Sequence, residues 1–344
     1  MTGSANYVAG FLAMLVAGVS NGSFAVPAKR ITAWKWEHIW LVYSLSAMGI
    51  LPFGLASFLA PGVLIDVIGQ NILSAVQVSA FGISFGIGAL LFGLSLARLG
   101  IAISNAMVNG ICVLLGSMGP LVIGAAELDS RGKNALFAGL LTLSISIVLC
   151  AVASMARDKA QGAVTLRTTS LKSSLVGILI ATTSGILSSM LNTGFAFGGP
   201  LIEKATALGH SPLFSSLAVW VPVLLGGLII NVTYTSFLIH RRRSWQLFWN
   251  GEHVKTCWAR CFAMGFLWFS AIFIYGYGVS LVGSVGLVYG FAAITAASIL
   301  ASDAWGAVTG EWHNSGRNPK LMMLASTILL LVSFLILASQ KGRA

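Results

Sequence analysis

The hydrophobic pattern divides the chain into long apolar runs separated by short polar stretches. Ten runs are long enough to cross a bilayer, because a helix needs about 20 residues to span a hydrocarbon core about 30 Å thick. Their approximate limits are 7–28, 38–60, 72–97, 101–124, 135–155, 174–199, 212–239, 258–280, 283–309 and 321–340. The pattern therefore predicts an all-α integral membrane protein with ten transmembrane helices, and the short loops leave no room for a soluble domain.

A polar, glycine-rich stretch interrupts the first apolar run and returns half a chain later. In the first copy Asn21 precedes Phe-Ala and then Pro27, and in the second Asn192 precedes Phe-Ala and then Pro200. Matching interruptions in two halves are typical of transporters built from repeats. Each half holds five spans, so the second half begins on the opposite side of the membrane. We predict two inverted five-helix repeats, 1–155 and 174–344, joined by a polar cytoplasmic linker at 156–173.

Composition and charge support a membrane protein and its orientation. Only 8% of the residues are charged and 57% are hydrophobic, whereas a soluble domain carries about 25% charged residues. Fifteen of the Lys and Arg residues lie in or beside the odd-numbered loops, and five lie in the even-numbered loops and the C-terminal tail. The positive-inside rule then places the odd loops in the cytoplasm and both termini outside. The net charge of +11 therefore does not indicate nucleic-acid binding.

The residue types that support enzyme chemistry are sparse. The N-terminal residues Met1 to Tyr7 contain no Lys or Arg, so the first run is predicted to be a retained membrane helix rather than a cleavable signal. The four cysteines have no metal-ligand spacing and are predicted to be buried, unpaired thiols. The segment from Gly82 to Gly86 matches the G-x-S-x-G form of a hydrolase. The five histidines lie in loops or at span ends, so a glycine-rich helix face is the preferred interpretation. No enzyme activity, metal or cofactor is predicted.

Polar side chains at membrane depth are the candidates for a binding site, because each is costly unless it faces the interior of the bundle. Amides and aromatic rings suit a small neutral sugar, whose hydroxyls bind amides and whose apolar faces pack on rings. The residues predicted to contact substrate are Asn21, Asn192, Asn105, Asn109, Trp268, Tyr275 and Tyr289. Hydrogen bonding between helices is the alternative role for each asparagine. Glycine pairs four residues apart, such as Gly18 and Gly22, predict close helix packing.

Asp303 is the acidic residue deepest inside a predicted span. It lies eight residues before Glu311, which places it about 12 Å from the cytoplasmic end of the helix at 1.5 Å per residue. A carboxyl group buried in this way can exchange a proton. Asp303 is therefore predicted to carry the coupling proton, and a water-exposed role in the cytoplasmic vestibule is the alternative.

The order of the short motifs resembles one transporter family over almost the whole length. The motifs begin at Phe24-Ala-Val-Pro27-Ala-Lys29 and Trp34-Lys-Trp36-Glu37, continue through Phe85-Gly86-Ile-Gly88 and Ile229-Ile-Asn231, and end at Gly310-Glu311-Trp312. This set resembles the L-rhamnose–proton symporter family of the drug/metabolite transporter superfamily. The resemblance implies an inverted-repeat carrier that takes up sugar with protons across a bacterial inner membrane.

We therefore expect a secondary active transporter for a neutral sugar, most simply L-rhamnose, with a sugar, a proton and the lipid bilayer as its partners. A carrier or exporter of another small metabolite is the alternative within transport. A non-transporting membrane sensor or assembly subunit is the alternative from another class. The glycine-rich faces serve internal packing as well as dimerisation, so the sequence does not decide the oligomeric state.

Overall fold

The computed structural model describes residues 2–161, 171–251, 253–313 and 315–339, and all regular structure in these ranges is helical. The α-helices are α1 (Thr2–Ser23), α2 (Trp36–Ser44), α3 (Leu51–Leu59), α4 (Ile72–Leu99), α5 (Ile101–Val122), α6 (Ser130–Ala160), α7 (Leu171–Phe197), α8 (Gly199–Ala207), α9 (Pro212–Ser215), α10 (Leu217–Arg241), α11 (Val254–Val282), α12 (Phe291–Val308) and α13 (Arg317–Ala338). Short 3₁₀ and π segments connect several of them.

Ten helical stretches in the described ranges are long and apolar enough to cross a membrane, which confirms the predicted number of spans. The fifth span is longer than predicted, since α6 runs over Ser130–Ala160 rather than 135–155. At its start the Asp129 side chain accepts a hydrogen bond from the Gly132 N–H at 2.7 Å and caps the helix. At its end α6 includes residues 156–160 of the predicted linker, while residues 162–170 lie outside the described residues.

Three spans contain a π-helical segment, and the third span opens with one at Val63–Ile68. The second span changes from α2 to a π segment at Leu45–Ile50 before α3 begins. Pro52 lies at the start of α3 and has no N–H to donate to the preceding turn, which favours a local rearrangement of the helical hydrogen bonds. The ninth span opens with a π segment over Gly286–Gly290 and continues as α12. Segments of this kind occur often at functional sites.

The loops alternate between the two ends of the bundle as the sequence predicts. At one end Lys29, after the first span, contacts Glu311, after the ninth, at 2.5 Å. Trp34 in the same loop donates to the carbonyl of Leu247, after the seventh span, at 2.9 Å. We call this the basic end. At the opposite end Lys204 in α8, which follows α7, donates to Asn71, which directly precedes α4.

The first span of each half packs in an equivalent way. Helix α1 packs on α11 and α12, which belong to the eighth and ninth spans, and α7 packs on α4 and α5, which belong to the third and fourth. Glycine makes these contacts close: a Cβ atom at Gly22 would collide with the carbonyl oxygen of Ser298 on α12. Close backbone approach through small residues stabilises helix pairs in lipid, where the hydrophobic effect does not drive helices together.

Candidate functional site

An aromatic cluster lies where α1, α2, α4 and α11 meet. It consists of Phe24, Tyr43, Phe85 and Trp268. The Tyr43 ring lies 5.7 Å from Phe24 and meets Trp268 edge-on at 6.0 Å, and Phe85 stacks on Trp268 at 6.0 Å with 18° between the planes. Phe24 and Phe85 are half-buried, whereas Tyr43 and Trp268 are buried. The cluster therefore offers ring faces at the boundary between the two halves of the chain.

Asn21 lies three residues before Phe24, near the end of α1. Its Nδ2 donates to Ser298 Oγ on α12 at 3.0 Å, while its Oδ1 accepts no hydrogen bond from a described residue. The neighbouring Ser20 donates to the carbonyl of Leu267 on α11 at 2.8 Å, which fixes this turn of α1 beside Trp268. The half-buried Asn21 amide therefore keeps an acceptor for a further ligand close to the aromatic cluster.

Asn105 and Asn109 stand one turn apart on α5 and share a face of that helix. Asn105 is half-buried and Asn109 is exposed. Neither side chain forms a hydrogen bond with another residue that the structure describes. Helix α5 starts at the basic end, so Asn105 lies about as deep from that end as Asn21 does. These two amides are available for a ligand.

Asn192 differs from these asparagines, because both its amide nitrogen and its amide oxygen have hydrogen-bond partners inside the protein. Its Nδ2 donates to the carbonyl of Gly116 on α5 at 2.8 Å and to the carbonyl of Leu287 at 2.9 Å. Its Oδ1 accepts from the Tyr275 hydroxyl at 2.7 Å. The exposed fraction of Asn192 is 1% and that of Tyr275 is 2%. In this conformation Asn192 and Tyr275 join the fourth, sixth, eighth and ninth spans.

The structure does not bring Asn21 and Asn192 together. Asn21 contacts Ser298, and Asn192 contacts Leu287, eleven positions earlier along the ninth span. At 1.5 Å per residue those two contacts lie about 16 Å apart along the helix. One small sugar cannot touch both amides at the same time. Although the sequences around them are similar, the two amides lie toward opposite ends of the bundle.

Tyr289 also lies at the opposite end. Its hydroxyl donates to the carbonyl of Gly132, near the start of α6, at 3.0 Å. The side chain is 1% exposed, and its position in the π segment Gly286–Gly290 places it close to Leu287 rather than to the aromatic cluster. The structure therefore groups Tyr289 with Asn192 and Tyr275, and groups Trp268 with Asn21.

Asp303 faces away from Asn21. It follows Ser298 by five residues on the same helix, about 140° around its axis. Its Oδ1 accepts a long hydrogen bond from the Cys150 thiol on α6 at 3.7 Å, and its Oδ2 is buried without a hydrogen-bond partner among the described residues. It lines a cleft of about 340 Å³ between α12 and α13, whose walls include Lys320 and Thr327.

A group of ion pairs centred on Glu311 lies at the basic end. Glu311 pairs with Lys29 at 2.5 Å and with Arg157 at 3.2 Å. The Gln161 amide donates to the Glu311 carbonyl at 2.7 Å, and the Arg157 guanidinium lies 5.0 Å from the centre of the Trp312 ring. The hydrogen bond from Lys29 lowers the pKa of the Glu311 carboxyl below its usual value, although partial burial opposes this shift. The group ties the ends of the first, fifth and ninth spans together.

Sequence reasoning missed several residues of these clusters. Tyr43 and Phe85 belong to the aromatic cluster, and Ser298 holds Asn21. Phe85 stands beside the glycine-rich helix face and within a family motif, but neither predicts a ligand contact for it. Tyr43 follows Trp36 and Trp40 on one side of α2, and this aromatic spacing is a signal that could have identified it. Ser298 gave no sequence signal, because serine is common in membrane helices.

All four cysteines are free thiols as predicted, but only Cys257 and Cys261 are buried, whereas Cys112 and Cys150 are partly exposed. No group of three or more His, Cys, Asp or Glu side chains in the described ranges is arranged to hold a metal ion.

The fold defines a membrane protein with ten candidate spans, and its amides, aromatic rings and Asp303 lie in separate clusters between the helices. The chain belongs to the L-rhamnose-proton symport protein (RhaT) family, whose profile matches residues 4–340. Membership of a symporter family and the ten apolar helices make it a multi-pass protein of the inner membrane.

Three relatives are each named L-rhamnose-proton symporter. The protein from Mannheimia succiniciproducens is 25% identical over 330 residues, covering 92% of this chain and 93% of its own length. The proteins from Citrobacter koseri and Escherichia coli K12 (DH10B) are each 23% identical over 326 residues, covering 93% of this chain and 94% of their own.

Proposed function

We propose that this chain takes up L-rhamnose together with protons across the bacterial inner membrane, and that it releases the sugar chemically unchanged. The observation that carries the proposal is the family match over residues 4–340. The names of the full-length relatives supply the substrate and the coupling ion. The odd loops at the basic end would face the cytoplasm by the positive-inside rule, with both termini in the periplasm.

We further propose that the chain is an inverted repeat, with halves 1–155 and 174–344. Reciprocal hydrogen bonds between the fifth and tenth spans support this arrangement. The Ser146 hydroxyl donates to the Ser326 carbonyl at 2.8 Å, and the Ser326 hydroxyl donates to the Ser146 carbonyl at 3.0 Å. Such reciprocity is the pattern expected where two equivalent elements meet at a two-fold axis. The Asn21 contact with the ninth span and the Asn192 contact with the fourth are equivalent in the same sense.

The sugar site would lie beside the aromatic cluster. Ligand sites are usually apolar and aromatic, with a few polar groups that fix orientation. The stacked rings of Phe85 and Trp268 would cover the apolar face of the sugar, and the Oδ1 of Asn21 would accept a hydrogen bond from a hydroxyl. Asn105 and Asn109 would supply further amides. Asn192, Tyr275 and Tyr289 would instead hold the opposite end closed while the sugar occupies this site.

Asp303 would carry the proton. It shares α12 with Ser298, which contacts Asn21 on the other side of that helix. Loss of a proton from Asp303 would place a charge in the cleft between α12 and α13 and so favour a different position of α12. Helix α12 also packs against α1 beside the proposed sugar site. Movement of α12 would therefore couple proton release from Asp303 to the binding or release of the sugar.

Counterflow tests the substrate. Proteoliposomes containing only this protein are preloaded with L-rhamnose and diluted into labelled L-rhamnose, and we expect transient accumulation of label. The same experiment is then run with other labelled sugars and small metabolites, each preloaded in its unlabelled form. Accumulation of another solute without accumulation of L-rhamnose would replace L-rhamnose as the substrate, and no movement of any solute would favour a sensor or assembly subunit.

A matched pair of variants tests the site. Trp268→Phe removes part of the ring surface beside the proposed sugar, whereas Trp249→Phe changes a tryptophan that is 71% exposed. We expect Trp268→Phe to raise the KM for counterflow, and Trp249→Phe to leave it unchanged. Equal kinetics in the two variants would contradict the placement of the sugar at the aromatic cluster.

A further inference from the structure

A second cleft opens at the basic end, at the end of the seventh span. It has a volume of about 390 Å³ and is lined by His240, Arg243, Trp245 and Gln246. All four residues are exposed. The membrane-spanning stretch Pro212–Arg241 ends beside it, so the cleft lies at the depth of lipid headgroups.

The loop that forms the cleft is held in place by neighbouring elements. The Arg242 guanidinium donates to the Glu37 carboxylate, which is 1% exposed, at 2.7 Å. The His38 ring Nε2 donates to the carbonyl of Ser244 at 2.9 Å. The Trp258 indole donates to the carbonyl of Phe248 at 3.1 Å. These contacts fix both sides of the cleft before any ligand arrives.

Arg243 has a backbone conformation that an arginine rarely adopts. Its φ angle is 49°, in the left-handed region that favours glycine. Arg243 directly follows the C-cap of α10, where the Ser244 N–H donates to the Ile239 carbonyl at 3.1 Å, and helices commonly end in this conformation, usually at glycine. The conformation directs the chain sharply from α10 into the 3₁₀ turn Trp245–Phe248. Arg243 therefore lines the cleft at a turn whose backbone conformation glycine would adopt more easily.

The positive charge of the cleft is not balanced by an acidic side chain within the described part of the chain. Arg242 is neutralised by Glu37, whereas Arg241 and Arg243 form no ion pair with any described residue. A guanidinium binds phosphate through two parallel hydrogen bonds, and basic pockets at membrane surfaces bind anionic headgroups. Trp245 is 38% exposed and lies beside the charges, as aromatic side chains do where acyl chains meet headgroups.

We propose that this cleft binds the phosphate of an anionic phospholipid, with Arg243 as the charged contact and the Trp245 ring against the first part of the acyl chains. The site is separate from the aromatic cluster and does not depend on which solute is transported. A free inorganic phosphate ion shares the headgroup chemistry but would gain nothing from the tryptophan or from the depth of the cleft.

Native mass spectrometry of the detergent-solubilised full chain tests this proposal. Phosphatidylglycerol and phosphatidylcholine with the same acyl chains are titrated separately, and we expect a saturable phosphatidylglycerol adduct that phosphatidylcholine does not form. Arg243→Gln should weaken that adduct about five-fold, the effect expected of one basic residue at a membrane surface. Arg243→Gly should weaken it equally, because glycine keeps the turn while removing the charge. Arg98→Gln, which changes an exposed arginine elsewhere at the basic end, is the matched control.

Three results would overturn the proposal. The first is unchanged phosphatidylglycerol binding by both Arg243 variants. The second is an equal loss in Arg98→Gln, which would mean that any surface charge serves. The third is displacement of phosphatidylglycerol by millimolar inorganic phosphate, which would assign the cleft to free phosphate.

Discussion

Replacing Asn192 by alanine tests the hydrogen-bond network at the end opposite the basic end. The amide makes three buried hydrogen bonds, two to the carbonyls of Gly116 and Leu287 and one from the Tyr275 hydroxyl. Asn192→Ala leaves two carbonyls and one phenol without their partner. Since the side chain is 1% exposed, water does not readily replace the amide.

The size of the effect follows from the number of bonds. Hydrogen bonds between membrane helices contribute about 0.6 kcal/mol on average and about 1.7 kcal/mol at most. Three such bonds give a loss of about 2 kcal/mol for Asn192→Ala. Tyr275→Phe removes only one bond, so it should cost about 0.6 kcal/mol. In the double variant the Tyr275 hydroxyl has already lost its acceptor, so the second change should add almost nothing.

Unfolding of the purified protein by sodium dodecyl sulfate in mixed micelles measures these free energies. We expect the double variant to be about as unstable as Asn192→Ala alone, which corresponds to a coupling energy of about 0.6 kcal/mol between the two sites. Asn109→Ala serves as the control, because that exposed side chain has no hydrogen-bond partner among the described residues. Strictly additive losses, or a loss in Asn109→Ala as large as that in Asn192→Ala, would show that the Asn192 hydrogen bonds do not stabilise the protein.

Three further predictions follow from the helix contacts and the acids. Gly22→Ala should abolish the folded protein or its transport, because the new Cβ would meet backbone, whereas Gly54→Ala, with open space around it, should leave yield and uptake unchanged. Glu311→Gln should lower thermal stability equally at pH 6 and pH 8. The pKa of Glu311 is lower in the folded protein than in the unfolded chain. The stabilisation by Lys29 is therefore fully present above the unfolded pKa of about 4.3 and is lost only as the pH falls through the folded pKa. Asp303→Asn should keep counterflow but lose proton-driven accumulation, and loss of both would contradict its role as proton carrier.

The membrane spans could be predicted from the sequence because each is a run of about 20 apolar residues. The alternation of the loops was equally accessible, since basic residues gather on one side. The ends of α6 were harder to predict. Its last residues, through Ala160, are polar, and their helical structure is supported by the contact of Arg157 with Glu311. Such a contact between distant loops leaves no local pattern.

The candidate site was only partly predictable. The pattern shared by Asn21 and Asn192 predicts that both amides contact one sugar, but their contacts with Ser298 and Leu287 hold them apart. An inverted repeat would place such a pair at equal depths from opposite ends of the bundle. The direction in which Asp303 points depends on how α12 is rotated between its neighbours, which hydropathy does not encode.

The most direct test of the account is L-rhamnose uptake into proteoliposomes that contain only this protein, with and without an inward proton gradient. We predict accumulation above the external concentration when the gradient is present, and its collapse when a protonophore is added. Accumulation that persists with the protonophore, or no entry of L-rhamnose under either condition, would contradict it.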